Sequence, residues 1–142
     1  MIKKYIIFDF DGTLIDTKTK ELFEGIPEML KNLSKDYTLF LSSRADDEDL
    51  VDFLKTEQLY WYFDIVFWGS IREKWPKHIE VFELVSEDQN FANRTIYVWD
   101  DEFDRNIAKT AGISFVKIWK EWTDAYEIEK TTDLTNYIQK VK

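Results

Sequence analysis

The chain contains no cysteine. Disulfide bonds, zinc–thiolate sites and thiol catalysis are therefore excluded, and cysteine usage says nothing about the redox compartment. No apolar run approaches the length that crosses a membrane. Residues 1–4 lead straight into the first apolar run, without the hydrophobic region of a signal peptide. A cytoplasmic location is the resulting expectation.

Positive charge is also scarce. The sequence has 19 Lys and Arg against 28 Asp and Glu, which gives a formal net charge of −9. Binding to nucleic acids or to anionic membranes requires Lys and Arg that face phosphate groups. The balance therefore argues against a nucleic-acid or membrane partner. It does not argue against a small phosphorylated ligand held at one site, especially beside a divalent cation.

The length and composition predict a globular protein. The 142 residues are 44% hydrophobic and 17% aromatic, which is enough to bury a layered core. We find no internal repeat, low-complexity tract or linker. One domain covering residues 1–142 is expected.

Apolar runs and helical patterns alternate along the chain. The predicted strands are Lys4–Phe10, Tyr37–Leu41, Asp64–Trp68, Thr95–Trp99 and Ile113–Trp119. The predicted helices are Pro27–Lys35, a segment capped by Asp46 or Asp47, a segment after Pro76, a segment ending at Ala111 and a segment capped near Thr131. This alternation predicts an α/β fold with a central parallel sheet of about five strands and helices on both faces.

The first predicted strand ends in two aspartates. Asp9 and Asp11 follow an uninterrupted apolar run, and Gly12 then permits a sharp turn. Open α/β sheets bind ligands at the carboxyl ends of their strands. Two carboxylates this close repel each other unless a cation or a proton lies between them. We therefore interpret this strand end as the centre of a functional site.

Other predicted strands also end in polar residues. Ser42 and Ser43 end the second strand, Asp100, Asp101 and Asp104 follow the fourth, and Lys74 or Lys77 begins the helix after the third. In a parallel sheet these ends share one edge. Converging carboxylates suit Mg²⁺. A lysine and a serine hydroxyl beside them suit a phosphoryl group.

These segments resemble the motifs of the haloacid dehalogenase superfamily. The stretch Asp9-Phe10-Asp11-Gly12-Thr13-Leu14 resembles its first motif, and Ser42 its second. The stretch Trp99-Asp100-Asp101 with Asp104 resembles its fourth motif, and residues 108–113 resemble the segment that follows. The resemblance covers nearly the whole chain in the family's order. It implies a three-layer, Rossmann-like fold.

The resemblance also implies a role for each residue. Asp9 is the nucleophile that forms an aspartyl-phosphate, and Asp11 protonates the leaving oxygen and then activates water. Ser42, Ser43 and Gly12 bind the phosphoryl group. The magnesium ligands are Asp9, Asp100 and the backbone carbonyl of Asp11, with Asp101 or Asp104 completing or supporting the shell. Lys74 or Lys77 is the catalytic lysine.

The second aspartate distinguishes branches of this superfamily. Its dehalogenases lack a residue equivalent to Asp11, and its pump ATPases carry Lys-Thr-Gly-Thr after the nucleophile. The chain is therefore similar to the phosphatase and phosphotransferase branch. The leading hypothesis is a Mg²⁺-dependent phosphatase acting on phosphomonoesters.

Two positions depart from the family pattern. Trp99 stands where the fourth motif usually has a small residue. Lys74, followed by Pro76, resembles the Lys-Pro form of the third motif with one extra residue, whereas Lys77 has a distance to Asp100 closer to that of cap-less members. Lys77 is slightly preferred and Lys74 is kept. The sole histidine, His78, is interpreted as a surface residue of the helix.

The sequence leaves little room for a cap domain. Members of the superfamily insert one after the first motif or between the second and third. Residues 12–27 are too few for a separate core, and residues 44–75 are already used by one helix and one strand. An open, uncapped site is expected. In the superfamily such sites accompany phosphorylated polymers or proteins, or homo-oligomers in which a neighbouring chain supplies the lid.

Two alternatives remain at this stage. A catalytically silent binding module would keep the fold and an acidic cation site, and Trp99 is its best support. A phosphatase acting on nucleic-acid ends would need a local Lys and Arg surface beside Asp9, which the net charge of −9 disfavours.

Overall fold

The computed structural model describes residues 2–43, 48–68, 77–99, 113–118 and 126–128. Six strands are present within these ranges: β1 (Tyr5–Phe8), β2 (Thr38–Ser43), β3 (Phe63–Trp68), β4 (Thr95–Trp99), β5 (Ser114–Ile118) and β6 (Tyr126–Ile128). The described α-helices are α1 (Ile26–Leu33), α2 (Glu48–Thr56) and α3 (Lys77–Ser86). Short 3₁₀ turns precede β3 and β4. The helices predicted to end at Ala111 and to follow Thr131 lie outside the described residues.

The strands form one parallel sheet in the order β3-β2-β1-β4-β5-β6. β1 lies between β2 and β4, and Phe8 is level with both Leu41 and Val98. The order of winding reverses at β1, which is where open α/β sheets leave a crevice for ligands. The predicted parallel α/β architecture is confirmed. β6 adds a short strand to the five that were expected.

The helices α1 and α2 cover one face of the sheet. Ile6 and Phe8 of β1 pack there against α1 and α2 in the larger core cluster. The four buried residues of α1 recur at the spacing of a single helix face: Ile26, Met29, Leu30 and Leu33. Pro27 occupies the first turn, where a missing N–H costs no hydrogen bond.

The helix α3 covers the opposite face. Ile7 and Phe40 of the sheet pack there against Ile79 and Phe82 of α3. The Phe40 and Phe82 rings are stacked with centroids 4.6 Å apart. With helices on both sides, the sheet is the middle layer of three, as the sequence predicts.

At the two points where members of the superfamily insert a cap, the described residues form only short elements. Between β1 and α1 the chain forms turns and two isolated bridges, in which Ile15 pairs with Asp11 and with Leu22. Between β2 and β3 the described part consists of α2 and a 3₁₀ turn. Among the described residues, no helix is both long and apolar enough to cross a membrane.

Candidate active site

Asp9 lies directly beyond the end of the central strand. Its carboxylate is buried, with only 3% of the residue exposed. Its backbone N–H donates to the Val98 carbonyl at 3.0 Å, which extends the pairing of β1 with β4 by one residue. Side chains alternate between the faces of a strand, and Ile7, two residues earlier, packs on the α3 face. Asp9 therefore lies on that face, at the carboxyl edge of the sheet.

A tight turn leaves Asp11 open to solvent, whereas Asp9 is buried. Gly12 has a φ of 78°, a left-handed conformation that disfavours any residue with a Cβ. The Gly12 N–H donates to Ile15 O at 2.9 Å, and the Leu14 N–H donates to Phe10 O at 2.8 Å. The turn leaves the Asp11 side chain 51% exposed. The two aspartates that the sequence brings together thus have one buried and one open carboxylate.

Lys20 forms an ion pair with Asp11. Its Nζ lies 3.2 Å from Asp11 Oδ2. The turn before it is held by Asp16, whose Oδ1 accepts from the Lys18 N–H at 2.7 Å and the Thr19 N–H at 3.2 Å. Lys20 itself has a φ of 60°. This pair cannot be read from the sequence, because no spacing rule connects a loop lysine with a carboxylate across a turn.

Ser42 and His78 are joined by a buried hydrogen bond. Ser42 Oγ lies 2.7 Å from His78 Nδ1, and both residues are completely buried. The interpretation of His78 as a surface residue is therefore wrong. His78 precedes the buried Phe82 by four residues, which places both on one face of α3. That spacing is visible in the sequence. A histidine next to a lysine was nevertheless predicted to lie at the surface.

Ser42 and Ser43 lie on different faces of β2. Ser42 comes two residues after Phe40 and shares the α3 face with it, whereas Ser43 follows Leu41 on the face of α1 and α2. Phe8 is level with Leu41, so Asp9 and Ser42 follow at the same level. Of the two serines predicted to bind phosphate, Ser42 is the one whose side chain shares the face of Asp9.

The remaining predicted site residues are placed only in part. Lys77 is the first residue of α3, and Trp99 is the last residue of β4. Lys74, Asp100, Asp101 and Asp104 lie outside the described residues. Within the described ranges no three His, Cys, Asp or Glu side chains group as a metal site. The roles assigned to these residues stay predictions.

A sequence comparison agrees with the architecture. The family model described as "Haloacid dehalogenase-like hydrolase" matches residues 18–118, which is more than half of the chain. The matched segment begins after Asp9 and Asp11. It is therefore evidence independent of the first motif. No curated protein matches the sequence.

Solved structures with the same fold cover nearly the whole chain. The core domain of a protein assigned as a phosphoglycolate phosphatase from Streptococcus pneumoniae is 21% identical, with a TM-score of 0.73 and coverage of 98% of this chain and 97% of that one. A hydrolase from Bacillus subtilis, solved bound to magnesium, is 13% identical, with a TM-score of 0.81 and coverage of 97% and 99%. A 2-haloacid dehalogenase from Pseudomonas syringae is 14% identical, with a TM-score of 0.82 and full coverage of both chains. At these identities the likeness shows the fold.

Proposed function

Because the chain belongs to the haloacid dehalogenase-like hydrolase family, we propose that it is a Mg²⁺-dependent phosphatase that hydrolyses phosphomonoesters through an aspartyl-phosphate on Asp9. The observation that carries the proposal is the aspartate pair at the end of β1, with Asp9 buried and Asp11 open to solvent. The family's dehalogenases lack the second aspartate. Asp11 therefore supports a phosphatase over a dehalogenase, although structures of both kinds share the fold.

The different exposure of the two aspartates fits two different tasks. A carboxylate oxygen of Asp9 attacks phosphorus, an Asp9 O–P bond forms, and the bond from phosphorus to the leaving oxygen breaks. Asp11 gives its proton to that leaving oxygen. In the second step Asp11 takes a proton from water, the water oxygen attacks phosphorus, and inorganic phosphate and the Asp9 carboxylate are released. Asp11 is half exposed, so the leaving group and the hydrolytic water can both reach its carboxylate.

Oxygen donors of the aspartate motif would hold the Mg²⁺ ion. Asp9 offers a buried carboxylate, and the resemblance to the family implies the backbone carbonyl of Asp11 as a second ligand. Asp100, with Asp101 or Asp104, would complete the site. When bound, the ion offsets the negative charge of phosphate as Asp9 approaches it. Hard oxygen donors of this kind suit Mg²⁺ better than softer metals.

A turnover assay with an aryl phosphate and Mg²⁺ tests the proposal. We expect Asp9→Asn to lower kcat to background, and Asp11→Asn to lower kcat by about 10²- to 10⁴-fold. Asp36→Asn is the matched control, because Asp36 is an exposed aspartate just before β2, near the opposite edge of the sheet. Removing Mg²⁺ with a chelator should abolish turnover. Full activity in Asp9→Asn or Asp11→Asn would refute the mechanism.

The same assay separates two other functions. A silent binding module, which Trp99 at the end of β4 favours, would bind Mg²⁺ without turnover. A dehalogenase would release halide from a 2-haloacid, and we expect no release. A panel of phosphorylated sugars, nucleotides, peptides and oligonucleotides then identifies the substrate class. An uncapped site favours the larger phosphorylated substrates, and the net charge of −9 disfavours oligonucleotides.

A further inference from the structure

His78 is a polar residue in an almost apolar setting. It is completely buried, its ring centroid lies 4.2 Å from that of Phe67, and Phe82 follows one turn later on the same helix face. Burying an imidazole among aromatic rings is unfavourable unless its nitrogens find hydrogen-bond partners. The 2.7 Å contact with Ser42 Oγ supplies one such partner. A leucine or phenylalanine would fill this space without that requirement.

The hydrogen bond joins two parts of the candidate site. Ser42 lies near the end of β2, level with Asp9 and on the same face of the sheet. His78 is the second residue of α3 and follows Lys77 directly. One contact thus connects the start of α3, where the preferred catalytic lysine stands, with the edge of the sheet that carries the nucleophile.

The helix α3 also contacts the sheet through apolar side chains. Ile79 and Phe82 pack against the apolar face. Apolar packing holds the helix against the sheet, but it is not directional. A hydrogen bond requires a narrow range of distance and angle. The contact between His78 and Ser42 therefore sets where the helix begins relative to the strand end.

We propose that His78 is a positioning residue: through its hydrogen bond to Ser42 it fixes Lys77 relative to Asp9. The inference rests on the proposed function, because it assigns Lys77 to the phosphate site. It takes Lys77, rather than Lys74, as the catalytic lysine. His78 itself need not touch the substrate.

Binding of inorganic phosphate in the presence of Mg²⁺ tests the inference without turnover. His78→Phe keeps a ring beside Phe67 and removes Nδ1, and we expect it to weaken phosphate binding about tenfold. His78→Asn keeps a polar group near the position of Nδ1 and should recover most of the loss. Phe82→Leu is the matched control, since it perturbs the same aromatic cluster, including the ring contact with His78, and leaves Ser42 and the imidazole in place. It should lower the melting temperature and leave the phosphate Kd unchanged.

A double-mutant cycle with Lys77→Ala distinguishes positioning from a general loss of structure. If His78 acts through Lys77, adding His78→Phe to Lys77→Ala weakens phosphate binding no further. Equal losses from His78→Phe in both backgrounds would overturn the inference. Equal effects of His78→Phe and Phe82→Leu on the phosphate Kd would overturn it as well.

Two measurements keep the test decisive. If His78→Phe does not fold, His78→Leu removes the same hydrogen bond with a smaller apolar side chain and leaves Ser42 in place, and its cycle with Lys77→Ala gives the same comparison. A wild-type protein that binds phosphate but hydrolyses no ester would refute the proposed function. The phosphate Kd values of the variants would then still decide whether His78 positions Lys77. A wild-type protein that does not bind phosphate would overturn both.

Discussion

At the scale of single residues, Lys20 gives the open carboxylate of Asp11 a counter-charge. Both members of the pair are exposed: 62% of the lysine side chain and 51% of the aspartate side chain are accessible to solvent. Exposed ion pairs of this kind contribute about 0 to 1 kcal/mol to folding. Under the proposed function, Lys20 would orient Asp11 and offset negative charge as an anionic phosphate arrives.

Lys20→Ala should reduce activity more than stability. We expect kcat/KM to fall about fivefold, which corresponds to roughly 1 kcal/mol of Coulomb energy near the surface. The free energy of unfolding should change by less than about 0.5 kcal/mol. Lys18→Ala, an identical charge change in the same exposed turn, is the control and should keep full activity. The difference between the two variants should shrink as salt is added. Equal activity of the two variants at low salt would show that Lys20 does not act on Asp11.

Residue patterns in the sequence predicted part of this site and missed part of it. The position of Asp9 at a strand end, just before a turn at Gly12, could be predicted because an apolar run ends abruptly in a local motif. His78 was predicted to lie at the surface, and Lys20 was given no role. Their partners, Ser42 and Asp11, are brought near them only by tertiary structure.

At the scale of secondary-structure elements, a polar cluster ties the start of β1 to the connection between α3 and β4. The Tyr5 hydroxyl donates to Asp88 Oδ2 at 2.9 Å, and Arg94 Nη1 donates to the same oxygen at 3.3 Å. The Asn90 backbone N–H donates to the other oxygen, Asp88 Oδ1, at 2.9 Å. The cluster anchors β1 beside β4, and β1 carries Asp9 at its far end.

This cluster makes stability depend on pH in two windows. The Asn90 N–H, followed by the Tyr5 hydroxyl and the charge of Arg94, holds the pKa of Asp88 below its usual 3.8. The stabilisation from Asp88 is therefore present above pH 3.8 and is lost as the pH falls through the lowered pKa. Burial and the neighbouring Asp88 raise the pKa of Tyr5 above 10.0, so its contribution is present below pH 10.0 and is lost at higher pH.

Urea unfolding between pH 5 and 3 measures the acid window. We expect the free energy of unfolding of the wild type to fall more steeply than that of Asp88→Asn, because the amide does not titrate. Asp52→Asn, an exposed aspartate on α2, should keep the wild-type slope. If Asp88→Asn also kept the wild-type slope, Asp88 would not be the group that causes the loss of stability in acid.

The strands were more predictable than the remaining elements. β4 has the predicted bounds, and β1 to β3 were expected within two residues, because buried parallel strands are continuous apolar runs. β6, Tyr126-Glu127-Ile128, has only three residues and a charge at its centre. This pattern is too short to be recognised as a strand from the sequence. The 3₁₀ turns before β3 and β4 carry no periodic signal either.

At the scale of the whole molecule, binding at the site should be visible as global stability. A ligand that binds only the folded state stabilises it by about 2.7 kcal/mol at a concentration of 100 times its Kd. We expect Mg²⁺ together with inorganic phosphate to raise the melting temperature of the wild type.

Asp9→Asn should lose that response, since it removes the buried carboxylate at the centre of the site. Asp36→Asn should keep it. A rise in melting temperature that survives in Asp9→Asn would place the bound ions elsewhere on the molecule. Calorimetric or fluorescence-monitored melting with and without the ions provides the measurement.

The central place of β1 in the sheet also decides when the site can form during folding. β2 follows β1 closely in the chain, whereas β4 begins only at Thr95. Closing the longer connection costs only about 1 kcal/mol more than closing the shorter one, since closure entropy grows slowly with length. The delay in a chain leaving the ribosome is nevertheless substantial. Until β4 emerges, β1 is an unpaired edge of apolar residues and prone to aggregate. The hydrogen bond from the Asp9 N–H to the Val98 carbonyl also forms only when β4 pairs with β1. A nascent chain that stops before Thr95 carries the whole aspartate motif and no assembled site.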